Sequence, residues 1–149
     1  MPTPFESGLL NLQLFDLRRE PVLREARRWF VHEFNPETFA EAVTLASGPR
    51  GASFGMVLSY WDMAASLVTT GAIDADAFRA AHGEIVATFA KVSPFLAEMR
   101  TLSGEPNYCK HMEEVVMAGP DAEAKVQRIV DAVRAGARMR REAAPTEGN

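Results

Sequence analysis

Residues 52–70 read Ala-Ser-Phe-Gly-Met-Val-Leu-Ser-Tyr-Trp-Asp-Met-Ala-Ala-Ser-Leu-Val-Thr-Thr, an apolar run with a single charge, Asp62. A membrane-spanning helix needs about 20 predominantly apolar residues, and an Asp at its centre is costly. Ser53, Gly55, Ser59 and Ser66 dilute the run further. The segment therefore reads as the buried central helix of a water-soluble domain, with no membrane insertion expected. Asp62 must then reach solvent or find a donor, because an unpaired buried charge is too costly.

Helical periodicity continues on both sides, with apolar residues recurring at three and four rather than two. Upstream, a helix is expected over about 7–18. A second starts at Pro21, which suits a first helical turn, with Val22, Ala26, Trp29 and Phe30 on one face. Asn35-Pro36-Glu37 marks a break and N-cap before a helix ending near Ser47-Gly48. Downstream, Gly71 closes the central helix and Asp74 caps the next, whose stripe is Phe78, His82, Ile85 and Phe89. Ser93-Pro94 restarts the chain, with Phe95, Met99 and Leu102 inward, and Gly104 stops it. Pro106 or Asn107 opens a helix with Tyr108, Met112 and Val115 inward. After Gly119-Pro120 comes a last helix carrying Val126, Ile129, Val130 and Val133. The expected fold is all-α: a compact single-domain bundle of seven or eight helices around the central helix at 52–70, with no sheet. Residues 1–142 form that domain, and 143–149 are expected to be a disordered tail.

The chain has 149 residues, 47% hydrophobic and 24% charged, close to ordinary globular usage. A domain of this size needs no disulfide or metal staple. One cysteine excludes a disulfide framework and any multi-Cys zinc site. The net charge of -4 argues against nucleic acid as a partner. Acidic excess sits in the middle of the chain. Residues 51–123 hold four basic and ten acidic side chains, whereas 124–149 hold six and three. Arg134, Arg138 and Arg141 fall on one stripe of the last helix, where the helix dipole favours cations. Glu20 with Arg24, and Glu25 with Arg28, have ion-pair spacing. No basic start precedes the apolar stretch Leu9–Leu17, so no secretory signal is read, and the cytoplasm is the expected compartment.

Catalytic signals are missing. The glycine-rich segment Gly48-Pro49-Arg50-Gly51 lacks the Gly-Lys-Ser/Thr ending and the preceding strand of a phosphate loop, and reads as a helix–helix turn. Cys109 and His111 diverge by about 200° on a helix and cannot chelate together. His82 reads as a buried histidine with one hydrogen-bond partner. No metal, cofactor or catalytic residue is assigned, so an enzyme is disfavoured. Two functions remain. The first is a non-enzymatic protein-interaction or self-association module, with a second copy or another protein as partner. The second is a small-ligand binder with a polar pocket near Arg50, Asp62 and Arg100, beside Tyr60 and Trp61. An enclosed polar cavity would favour the ligand, and an exposed apolar patch the partner.

Residues 50–117 carry a resemblance. Arg50 is followed by Met63-Ala64-Ala65-Ser66-Leu67-Val68, Gly71-Ala72-Ile73-Asp74 and Val92-Ser93-Pro94-Phe95-Leu96. Arg100, Gly104-Glu105-Pro106, Tyr108 and Glu113 complete the series. This succession is similar to an uncharacterised all-helical bacterial family, a domain of unknown function. The resemblance implies a helical fold and a bacterial setting and assigns no site. Some members of that family carry a membrane helix before the domain, which this chain is expected to lack.

Overall fold

A computed structural model describes residues 1–145. They form nine α-helices and no strand: α1 (Pro4–Leu17), α2 (Pro21–His32), α3 (Phe39–Ser47), α4 (Gly51–Thr69), α5 (Ala75–Ala81), α6 (Glu84–Val92), α7 (Leu96–Ser103), α8 (Lys110–Met117) and α9 (Ala122–Ala143). A 3-10 turn, Ser93–Phe95, joins α6 to α7. The body is the single all-helical bundle the periodicity predicts. The ninth helix arises because the stripe Phe78–Phe89 is broken at His82-Gly83, although all four of its residues are buried. The expected tail falls largely on residues 146–149, outside the described ones, and its first residue, Ala143, closes α9.

Capping chemistry sets most boundaries. Thr3 and Glu6 form a reciprocal capping box, which starts α1 three residues before the expected Ser7. Glu20 accepts from the Val22 and Leu23 N–H groups and so caps α2 rather than pairing with Arg24. Thr38, not Asn35, caps α3. Asp74 caps α5 through the Ala77 N–H, as expected. The turn into α4 needs glycine for space: a Cβ on Gly51 would meet the Ala46 carbonyl oxygen at 2.7 Å. Gly71 and Gly104, at φ 79° and 70°, end α4 and α7 in the left-handed region that glycine enters most freely.

Two helices carry the core. α4 packs against α2, α3 and α8, and buries Phe54, Val57, Leu58, Tyr60, Trp61, Ala64 and Ala65. α6 packs against α8 and α9 and buries Ile85, Thr88, Phe89, Ala90, Lys91 and Val92. Trp29, Phe30, Phe34 and Phe54 form an aromatic cluster with ring centroids 4.8–6.4 Å apart. Two expected core positions face out instead. Val22 is exposed because α2 turns Leu23, one residue on, toward α4, and Leu102 is exposed beyond the last buried residue of α7, Met99. Among the described residues no helix is long and apolar enough to cross a membrane.

Among the described residues, Lys91 is a buried cation with no carboxylate partner. Its Nζ donates to the Phe30 carbonyl (2.8 Å), the Val31 carbonyl (2.6 Å) and Asn35 Oδ1 (2.9 Å), closing the C-terminal end of α2. Burial, helped by Arg140, lowers its pKa to about 8. The cation-favouring end of one helix is thus occupied from another helix.

Candidate interaction surface

α1 is turned inside out. Its core-facing side carries Ser7 and Asn11, with Leu14 the one large apolar residue it buries. Its solvent side carries Phe5, Leu9, Leu12 and Phe15, exposed to 74%, 47%, 68% and 52%. At 100° per residue Phe5, Leu9 and Leu12 fall within about 60° of one another, with Phe15 on the flank. Ordinary amphipathic helices do the reverse.

A polar seam makes this orientation stable. Ser7 Oγ accepts from the Asp74 backbone N–H at 3.0 Å. Asn11 Oδ1 lies 3.0 Å from His82 Nε2, and since that oxygen only accepts, Nε2 carries the proton. His82 is fully buried, and burial, then the positive charge of Arg18, lowers its pKa, so the ring stays neutral. Tyr60 donates its hydroxyl to the Leu14 carbonyl at 2.5 Å, and burial pushes the phenol up to about 12. At the C-terminal end of α1, Arg18 and Arg27 clamp one carboxylate. Arg18 Nη2 reaches Glu84 Oε2 at 2.9 Å; Arg27 Nε reaches Oε1 at 2.9 Å, and its Nη2 reaches Oε2 at 2.5 Å. Arg27 also donates to the Arg18 carbonyl at 3.1 Å. The Arg18 guanidinium lies 5.2 Å from the Trp61 ring and 5.5 Å from that of Phe15. The buried side of α1 is held by hydrogen bonds and ions together with Leu14 and the partly buried Leu10, while Phe5, Leu9, Leu12 and Phe15 stay at the surface.

The five residues suggested for a ligand pocket are not gathered at one place: Arg100 borders a groove with Ser93, Glu113 and Gln127, while the other four make separate contacts. Arg50 is 3.6 Å from Glu25 and stacks over Trp29 at 5.5 Å. Tyr60 and Trp61 pack edge to face at 5.1 Å, and Trp61 is fully buried. Asp62 Oδ1 accepts from the Met112 N–H at 2.9 Å. Met112 is the third residue of α8, whose own N-cap position, Cys109, is left-handed at φ 57° and offers no side-chain cap. Asp62 thus caps α8 from α4, and its donor is a backbone N–H. Arg100 instead donates to the Tyr108 carbonyl at 3.0 Å and to Glu113 at 2.6 Å. Cys109 is buried, its thiol pushed up to about 12 by burial and by Asp62, which disfavours the nucleophilic thiolate. His111 Nδ1 meets Thr69 Oγ1 at 2.7 Å. Among the described residues no three His, Cys, Asp or Glu side chains group as a metal site. A cavity of about 390 Å³ lies where α5 and α6 meet α8 and α9, bordered by Arg79, His82, Val115 and Lys125.

These features define an all-helical bundle whose most distinctive surface is an apolar helix face and in which Ser7, Asn11, Tyr60, Asp62, Glu84 and Lys91 tie one helix to another, while, among the described residues, Trp61 Nε1 and His82 Nδ1 are buried without a partner. Residues 5–118 match the family described as Domain of unknown function (DUF4760), and the chain belongs to that family. The match extends the resemblance read over 50–117 upstream through α1 and stops at the end of α8, leaving α9 outside it. No curated protein and no solved structure matches the chain.

Proposed function

We propose that this chain is a non-enzymatic protein-association domain whose contact surface is the outward face of α1. The carrying observation is the inversion of that helix: Phe5, Leu9, Leu12 and Phe15 outside, Ser7 and Asn11 inside. At roughly 200 Å² for each large side chain, the four leave about 500 Å² of apolar surface in water, in the upper part of the range for the largest patch an ordinary monomer exposes, which is often functional. The sequence places aliphatic and aromatic residues there although exposed helix positions accept polar ones at no packing cost. The polar seam supplies a rigid base, so the face is presented without ordering a loop on binding. The reading keeps the protein in the bacterial cytoplasm, a setting supported by the family resemblance and by a single thiol, Cys109, that is free and buried.

A photo-crosslinking amino acid at position 12, expressed in the native host, tests this. A discrete crosslinked protein is expected from position 12, and none from the exposed polar position 127 on α9. Equal or absent crosslinking at both positions would remove α1 as the contact surface.

A further inference from the structure

We infer that the partner of the α1 face is a second copy of the same chain, joined as an antiparallel α1–α1 pair about a two-fold axis. This deepens the association reading and rests on it. Two observations choose this occupant. First, area: two faces of about 500 Å² together bury about 1,000 Å², the lower bound for a specific interface. Second, self-complementarity: an axis passing between Leu9 and Leu12 sets Leu9 of one copy against Leu12 of the other, twice, as an isologous contact requires. Gly8 lies beside this crossing point with open space at its Cβ position, so the two helices can approach closely there. A bilayer fits this surface poorly. α1 contains Glu6 and Asp16 and no Lys or Arg, whereas interfacial helices carry basic residues on their polar face, and the whole chain is at -4.

The test is light scattering coupled to size exclusion on the full 149-residue chain, at concentrations from about 1 to 200 µM. The wild type is expected at twice 16.4 kDa in the upper range, falling toward one copy on dilution. Leu12→Glu is expected to weaken association at least ten-fold with an unchanged circular dichroism spectrum. Leu9→Lys provides the same test should Leu12→Glu fail to fold. A wild type that stays single at 200 µM overturns the second copy. So does a dimer that survives both Leu12→Glu and Leu9→Lys. A single-copy chain whose position 12 still crosslinks another protein leaves the association reading standing while overturning this partner. Flotation with phosphatidylcholine–phosphatidylglycerol vesicles that Leu12→Glu abolishes, together with a single-copy mass, would overturn it in favour of a lipid surface.

Discussion

Asp62 is the one charge of the central helix, and its job is visible in a single contact. Its carboxylate takes the Met112 N–H at 2.9 Å and so replaces the side-chain cap that Cys109 cannot provide. Replacing Asp62 by Ala removes a capping bond of about 1 kcal/mol, within a range of about 0.5–2. It also removes a charge favourably placed at a helix N-terminus, about 0.3–1 kcal/mol. Together these give about 1–2 kcal/mol. For a chain near 150 residues, where 1 kcal/mol moves Tm by about 2–4 °C, Asp62→Ala should melt about 3–6 °C lower. Asp62→Asn keeps an oxygen able to accept the same bond and loses only the charge, so it should fall by less than half as much. Thermal and urea unfolding of the three proteins, followed by circular dichroism, measure both differences. If Asp62→Ala melts within 1 °C of wild type, or if Asn is as harmful as Ala, the capping assignment is wrong.

Three further outcomes follow from buried groups. Glu84 neutralises Arg18 and Arg27, whose side chains are 14% and 16% exposed, so Glu84→Ala leaves two uncompensated cations and should cost about 3–5 kcal/mol in urea unfolding. A cost below 1 kcal/mol would show the clamp to be idle. Lys91, with its folded pKa lowered to about 8 against 10.5 for an ordinary lysine, binds fewer protons folded than unfolded between those values. The stability of wild type relative to Lys91→Met should therefore rise as pH increases from 8 to 10.5, and a flat or falling difference would contradict the burial argument. His82, lowered from its ordinary 6.5, has the same sign. Its contribution is intact above pH 6.5 and is lost as the pH falls through its folded value, and His82→Gln should flatten that acid limb in a pH series of urea melts.

The helices were legible because their caps and apolar stripes are local. Asp74, Gly71, Gly104 and the Glu20-Pro21 pair all act within a few residues of themselves, and the structure uses each where the sequence puts it. Thr3 and Glu6 carried an equally local signal, the Thr-x-x-Glu spacing, that would have moved the start of α1 to Pro4. His82 was readable as a buried histidine with one partner because it sits on an apolar stripe, but the partner, Asn11, lies 71 residues away. The clamp of Arg18 and Arg27 on Glu84 spans 66 and 57 residues and leaves no trace in spacing. The α1 face was illegible for a related reason. Apolar residues at 5, 9, 10, 12, 14, 15 and 17 surround that helix, so periodicity does not choose its inner side. Ser7 and Asn11 face the core because the Asp74 N–H and His82 wait for them there, and those groups belong to another part of the chain. Asp62 raised the right question, and its answer, a backbone N–H 50 residues on, needed the packing of α4 against α8.

The orientation of α1 can be read directly from thiol accessibility. Ser7→Cys and Leu12→Cys place one new thiol on each side of that helix, while the native Cys109 stays buried. With a maleimide at concentrations too low for association, position 12 should label at nearly the rate of a free thiol, and position 7 only as fast as the protein opens. Slow labelling at 12 together with fast labelling at 7 would mean that α1 buries its apolar side after all, and the association surface would not exist.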